Sequence, residues 1–585
     1  MRGYKKDIFY EISKFLRSIF SKFLGLFSLF SAFFTRSSSL CRWGPIPFLS
    51  SPRRRGPRIT DKLLRVEKPC NVDMSTVPLG PRLRGDDEQG ERDGKHDDKG
   101  LGIEQTNLYT MFLWFIIAAL GAFYWGLSSY ALLNNNEGLY AQIAWEMLEN
   151  KDFVIPILNG VPYIEKPPML YWLISFSYTL FGKSVLAARV IPATFGFLTT
   201  LSLIFFCHRL GKTRQGFWAG TLLATSLGFA VFSRMVFFDG LLTAFFTFAM
   251  LSFYLFDQTG KKKWIRFFYV FLSFAILTKG LLSLCLIGLI CGIFQWVKYR
   301  SFSKIFALWD TLGIMLFLII TGPWHILAHF QQLDFSWFYF INEHVMRFLD
   351  KRVPRDYYHG PLYYYLIRLP AYFLPWTFLL PFVGKSISKP SPDSSLRLFL
   401  WLWFGLVFLF FSASQAKANY YMVLGMPPLA LLLVDYFSHH TRFVRLLKIA
   451  TIFATLALIG ATWILPSKNT EISAIEGARF LKQFHKHIYL YKRFEHFSSV
   501  IFYYGKPLPI VDSESADLAF GQTTTAGKGR FLDFQTAAED PYPKLFVVHQ
   551  RDIKEFEQRC GGFCREVYAD HGLNIYEWKR RCRLE

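Results

Sequence analysis

The apolar residues of this chain come in blocks about as long as a bilayer's hydrocarbon is thick, roughly 20 residues each. No other feature limits the fold so strongly. In lipid every backbone N–H and C=O must find its partner inside the segment, so a run of that length folds as a helix. Such blocks lie at 109–131, 184–208, 214–232, 240–257, 264–280, 281–297, 306–326, 366–384, 397–412, 420–437 and 445–465. With 52% hydrophobic residues and 64 Phe in 585, few water-soluble folds could bury the remainder. The expected fold is an all-α polytopic membrane domain of about 11–13 transmembrane helices, followed by a C-terminal extracytoplasmic α/β domain.

The formal charge of +23 follows from the same organisation. Lys and Arg crowd the short connections 209–214, 261–266, 298–304, 385–397 and 442–448, and such loops mark the cytoplasmic side. Nucleic-acid binding is the rival explanation of a basic chain, but these charges recur between spans and form no single groove. Threading the spans through them puts the N-terminus inside. The loop at Glu137, the 234–239 turn, the Lys279-Gly280 turn, the 327–365 and 413–420 loops and the C-terminal region then share the outer face.

Three parts are expected: 1–105, 106–466 and 467–585. The first reads as a basic, disordered extension. Its piece VPLGPRLRGDDEQGERDGKHDDKG resembles a translated bacterial palindromic repeat, as from a misplaced start codon or an inserted element, and it is given no function. The second is the membrane domain. In the third, IYLYKRF, SSVIFYYG, PLPIV and KLFVVHQ read as strands, with helices near 473–485 and 551–558. Cys207, Cys285 and Cys291 fall in spans as small core residues. Cys560 and Cys564, with Cys582 nearby, permit a disulfide in an oxidising compartment.

The candidate site residues cluster at span ends on one face. Between Asn134 and Pro168 the chain reads NNNEGLYAQIAWEMLENKDFVIPILNGVPYIEKPP. Glu137 opens a helix over 137–149 after three Asn residues able to cap it; a carboxylate there is either functional or well placed for the helix dipole. Tyr163, Glu165 and Lys166 precede Pro167-Pro168, which stiffens the entry to the next segment. Asp239 lies in SRMVFFDGLLTAFFTFAM; an ionisable group at the edge of hydrocarbon is costly and functional by default, the alternative being a helix cap paired with Arg234. Glu343 and His344 sit in an aromatic external loop, and His344 with Glu165 offers two competent ligands for a divalent metal. Lys279 and Lys417 at outer span ends either snorkel to the interface or neutralise a lipid phosphate.

Taken together, NNNEGLYAQIAWEMLENKDFVIPILNGVPYIEKPPMLYW, VFFDGLLTAFFTF, LTKG, FINEHVMRF, LPWTFLLP and SQAKANYYMVLGMPPLALLL resemble the bacterial GT-C-fold glycosyltransferases. Among these they resemble the lipid A aminoarabinose transferases, within the wider family that includes the protein O-mannosyltransferases. The resemblance covers about 106–466. It implies an inner-membrane enzyme with its N-terminus inside and its C-terminal domain in the periplasm. Such an enzyme moves a sugar, an aminoarabinose-like pentose or a hexose, from a polyprenyl-phosphate donor to lipid A or another envelope glycan or protein acceptor. It implies a catalytic role for Glu137 and Asp239, and donor-phosphate contacts from Tyr163, Lys166, Lys417 and Tyr421. It also implies a divalent metal, zinc in the aminoarabinose transferases, at Glu165 and His344. Two positions depart from the pattern. The family's acidic pair is Asp-Glu where this chain has Asn136-Glu137, and the Arg of its RYA is Leu139. A polytopic transporter or flippase is the alternative reading; transporters show internal repeats and broken mid-membrane helices, and no clear repeat is present here.

Overall fold

The computed structural model describes residues 107–579, except 302, 356–359, 384–393, 438–440 and 571. The expectation for 1–105 and the mention of Cys582 lie outside the described residues. Among those described, seven helices are long and apolar enough to cross a membrane, or eight if one bent pair counts as a single span. They are Val185–Arg209, Phe238–Thr259, Leu281–Tyr299, Thr311–Gln331, Ser394–Ala413, Asn419–Phe437 and Phe443–Ile472, with Thr213–Ala224 and Leu227–Arg234 as the bent pair.

The count falls below eleven for local reasons. The run at 109–131 folds as Leu108–Phe123, only 16 residues. The run at 214–232 bends by 68° at Thr225 and Ser226, whose hydroxyls donate to the carbonyls of Thr221 and Leu222. Back-bonding of this kind competes with the helix ladder and bends it. The run at 366–384 gives a nine-residue helix, Tyr364–Tyr372, containing Pro370, then a 3₁₀ turn at Trp376–Leu379. Lys262–Lys279 is helical over 18 residues, but Lys262, Lys263, Arg266 and Lys279 shorten its apolar stretch. One helix was not foreseen, Met169–Phe181, which starts directly after the Pro167-Pro168 pair.

At the ends of the spans, Asn136–Asn150 is a helix. Strands β1 (Ile157–Leu158) and β2 (Val161–Pro162) form a small hairpin after it. The turn uses Asn159 and Gly160 at positive φ, and Glu146 accepts both of their backbone N–H groups.

The C-terminal region builds one six-stranded sheet in the order β5-β4-β3-β6-β8-β7. The strands are β3 (His487–Tyr491), β4 (Ile510–Val511), β5 (Phe531–Leu532), β6 (Lys544–His549), β7 (Cys564–Ala569) and β8 (Leu573–Trp578). The first four pair in parallel and the last two antiparallel. Tyr491, Phe546, Val548, Phe556 and Tyr576 form its core. Cys560 and Cys564 are joined in a disulfide. SSVIFYYG is a helix, Ser499–Tyr504, ended by Gly505 at φ 96°. It packs against the Asn136–Asn150 helix so closely that a Cβ on Gly138 would lie 2.5 Å from the Ser499 Cα. Tertiary contact here overrides the β propensity of Val, Ile and Tyr.

Asn134, Asn135 and Asn159 join the two parts. The Asn134 N–H donates to the Ile472 carbonyl at 2.9 Å and the Asn135 N–H to the Glu495 carbonyl at 3.1 Å. Ser499 donates its hydroxyl to the Asn134 side chain at 2.7 Å, and Ser498 donates to the Asn135 carbonyl at 2.9 Å. Asn135 takes φ 68° and makes no side-chain cap; Asn tolerates this left-handed geometry better than most residues. Further along, Asn159 exchanges two 2.8 Å hydrogen bonds with the Leu508 backbone.

Candidate active site

A cavity of about 280 Å³ opens where the span ends meet the C-terminal sheet domain. Its lining comes from every segment that the charge pattern placed on one face. Asn135, Asn136 and Tyr140 come from the Asn136–Asn150 helix and its cap, and Tyr163, Glu165 and Lys166 from the segment after β2. Phe237, Phe238 and Asp239 begin the Phe238–Thr259 helix, and Lys279 ends the one before Gly280. Arg347 and Arg352 come from the aromatic loop, and Tyr420 and Tyr421 from a 3₁₀ turn. The sheet domain adds Arg493, Glu495, His496, Asp517 and Arg551.

The membrane-side charges form two linked sets. Asp239, in the first turn of its helix, accepts from Lys279 at 2.5 Å. The same ammonium lies 4.3 Å from the centre of the Tyr421 ring, a distance at which cation and π face attract. Arg234 does not pair with Asp239; its guanidinium donates to the carbonyls of Ala122 and Trp125. In the second set Arg352 bridges two buried carboxylates, at 2.6 Å from Glu165 and 2.5 Å from Glu343. Arg347 binds Glu343 at 3.0 Å. Lys166 stands 3.6 Å from Glu165, and the Tyr163 hydroxyl donates to Glu165 at 3.4 Å. Burial pushes the Glu343 carboxyl up, but Arg352 and Arg347 outweigh it and hold the group below the usual carboxylate value. Lys166, Arg347 and Arg352 exceed Glu165 and Glu343 by one charge, so the set is suited to an anion.

Three expected site residues are placed differently. Glu137 is fully buried and outside the cavity lining. Its carboxylate takes Arg189 Nε at 2.9 Å and Nη2 at 2.6 Å, and the N–H groups of Leu133 and Val236. Arg189 spends its other donors on the carbonyls of Leu127, Tyr130 and Ala131. A carboxylate so saturated has no lone pair left for a substrate proton; Glu137 is a structural ion pair. Lys417 is also buried and outside the lining. Its ammonium donates to the carbonyls of Phe411, Ser412 and Ser414, closing the end of the Ser394–Ala413 helix as a basic residue can. It is not placed to hold a phosphate.

His344 is the third. Its Nδ1 faces the Tyr339 carbonyl at 2.6 Å, and its Nε2 accepts the Leu281 N–H at 3.1 Å. Both ring nitrogens are thus committed to backbone, while Glu165 is engaged by Arg352 and Lys166. Among the described residues no three His, Cys, Asp or Glu side chains come together as a metal-ligand set. The Glu165–His344 pair as placed does not fit a divalent ion.

Sequence reasoning missed Arg347, Arg352 and the five residues from the sheet domain. Arg352 lies eight positions past His344 without a motif of its own. Arg493, Glu495, His496, Asp517 and Arg551 reach the cavity only because the domain docks on Asn134 and Asn135. His496 stacks on His549 with ring centres 4.2 Å apart, which fixes the imidazole at the rim.

Comparison with known proteins gives this arrangement a setting. Residues 165–326 match the family model of dolichyl-phosphate-mannose-protein mannosyltransferase. The solved structure of ArnT from Cupriavidus metallidurans bound to undecaprenyl phosphate superposes with a TM-score of 0.70 at 20% identity, covering 81% of this chain and 98% of that one. This chain shares the fold of that structure. Curated proteins similar to this chain carry the name undecaprenyl phosphate-alpha-4-amino-4-deoxy-L-arabinose arabinosyl transferase. The Proteus mirabilis protein is 29% identical over 342 residues, 57% of this chain and 61% of that one. The Aeromonas salmonicida protein is 31% identical over 313 residues, 52% of this chain and 55% of that one. The match thus spans somewhat over half the length of these relatives.

Proposed function

We propose that this multi-pass membrane protein transfers a sugar from a polyprenyl-phosphate donor to lipid A or another envelope acceptor, at the outer face of a bacterial inner membrane. One observation carries the reading. Lys166, Arg347, Arg352 and Tyr421 line one cavity at the ends of apolar helices, where a lipid-linked phosphate would lie with its chain in the bilayer. The names of the relatives and the bound lipid of the ArnT structure support the same donor class. The Cys560–Cys564 disulfide supports an oxidising compartment for the sheet domain.

The chemistry follows from the charges. An acceptor oxygen attacks the anomeric carbon, and the polyprenyl phosphate leaves with the bonding electrons. Lys166, Arg352 and Arg347 meet the charge that develops on that phosphate, in a site where low dielectric makes each contact count. The Asp239–Lys279 pair sets the ammonium against Tyr421 and keeps both in place.

Mass spectrometry of lipid A and surface glycans from cells with and without the gene tests the reading. The expected result is a sugar-mass increment present only with the gene and lost in Lys166→Met. Identical envelope spectra in all three strains would contradict it.

A further inference from the structure

The cavity contains four carboxylates: Glu165, Asp239, Glu495 and Asp517. Three are committed. Glu165 binds Arg352 and Asp239 binds Lys279. Glu495 accepts the Ser515 hydroxyl at 2.7 Å and the Asp517 N–H at 3.0 Å. The Asp517 side chain, alone of the four, makes neither a hydrogen bond nor an ion pair among the described residues; only its backbone N–H is engaged. Its position is nonetheless fixed. Glu495 holds the Asp517 N–H through its carboxylate and the Asn135 N–H through its own carbonyl. Asp517 is thereby tied, two hydrogen bonds away, to the segment that carries Asn136.

Asn136 lines the same cavity, and an amide cannot take a proton as a carboxylate does. With Glu137 saturated by Arg189, neither residue of this pair can act as a base. We propose that Asp517, supplied by the C-terminal sheet domain, is the general base that accepts the proton of the acceptor's attacking O–H. This rests on the transfer reading above. In the step the acceptor oxygen bonds to the anomeric carbon and its proton passes to the Asp517 carboxylate. The bond from that carbon to the phosphate oxygen breaks, and the electron pair leaves on the polyprenyl phosphate. The domain is then part of the catalytic apparatus, carrying the base while the span ends carry the phosphate cations. The environment suits the role. Burial, with Glu165 and Glu495 nearby, raises the Asp517 carboxyl well above the usual aspartate value, and a stronger base accepts a proton more readily.

The test uses the purified full-length protein with undecaprenyl phosphate-linked 4-amino-4-deoxy-L-arabinose as donor and lipid A as acceptor, or water in its absence, reading release of undecaprenyl phosphate. Asp517→Asn should lower kcat at least ~100-fold, the scale for losing a general base, with undecaprenyl phosphate affinity unchanged. Asp517→Glu should keep part of the rate. Asn136→Asp in the Asp517→Asn background should restore turnover at least about tenfold, because the carboxylate returns to the same cavity. In the wild type the acid limb of the kcat–pH profile should lie above the ordinary aspartate range, and it should vanish in Asp517→Asn. Turnover by folded Asp517→Asn within about threefold of wild type would overturn the proposal. So would an equal fall in kcat and lipid-phosphate affinity. The wild-type rate reports on the transfer reading, and the ratio of variant to wild type reports on Asp517.

Discussion

Glu137 and Asp239 show how two carboxylates at span ends acquire opposite duties from their partners. Glu137 meets Arg189 in a fully buried, bidentate pair with all remaining lone pairs filled by backbone N–H groups. Removing one charge from such a pair leaves the other stranded, at a cost of about 3–5 kcal/mol. Glu137→Gln should therefore lower the thermal unfolding midpoint of the detergent-solubilised protein and reduce its yield. A stable Glu137→Gln protein with a selective loss of turnover would instead restore a catalytic role. Asp239 stays at the cavity with a single cation, and Asp239→Asn leaves the largely buried Lys279 ammonium still facing the cavity and the Tyr421 ring. Its midpoint should shift less than that of Glu137→Gln while turnover falls. Comparing unfolding and rate for both variants checks the distinction. These residues also show what the sequence could tell. Tyr163, Lys166, Asp239 and Tyr421 reach the cavity from the segments in which their motifs stood out. The saturation of Glu137 was invisible because Arg189 lies 52 positions away, inside an apolar run where one arginine reads as an anomaly and not as a partner. Lys417 and His344 were misjudged for a related reason: both are held by backbone groups, which carry no sequence signature.

At the scale of elements, the connection between Lys262–Lys279 and Leu281–Tyr299 depends on one glycine. Gly280 takes φ 71°, and a Cβ there would lie 2.2 Å from His344 Nε2 and 2.6 Å from the Tyr339 hydroxyl. The turn delivers Lys279 to Asp239 on one side and the Leu281 N–H to His344 on the other. Gly280→Ala should cost more than the roughly 1–3 kcal/mol of backbone strain alone, because the imidazole must move and release Leu281. A fall in thermal midpoint together with weaker lipid-phosphate binding is expected. A midpoint equal to wild type would show that the loop yields freely. Helix positions were mostly legible from hydropathy, because length and apolarity act locally. The breaks at Thr225-Ser226 and at Pro370 were not, since hydroxyl back-bonding and proline within otherwise apolar runs leave the composition unchanged. In the sheet domain β3, β4 and β6 were legible as apolar runs. Ser499–Tyr504 was misread as a strand because its conformation is decided by contact with Gly138.

Over the whole molecule, the membrane helices and the sheet domain act as one site because Asn134, Asn135 and Asn159 couple them. The alternation of basic connections sets a testable orientation. A reporter active only outside the cytoplasm, fused after Lys468, should give signal, and one fused after Lys298 should be silent; the reverse pattern would put the cavity on the wrong side for an envelope acceptor. Domain docking was the least legible feature, since nothing in IYLYKRF or SESADL announces a cavity more than 300 residues earlier. The central claim is that this cavity holds a polyprenyl phosphate. The most direct measurement is equilibrium binding of undecaprenyl phosphate to the purified protein, wild type against Lys166→Met, with Lys417→Met as control. Loss of a charge-assisted contact is worth about 1.5–3 kcal/mol, or about tenfold and more in affinity. Saturable binding that weakens by that factor in Lys166→Met and is unchanged in folded Lys417→Met is expected. Equal binding by wild type and Lys166→Met, or a loss confined to Lys417→Met, would contradict it.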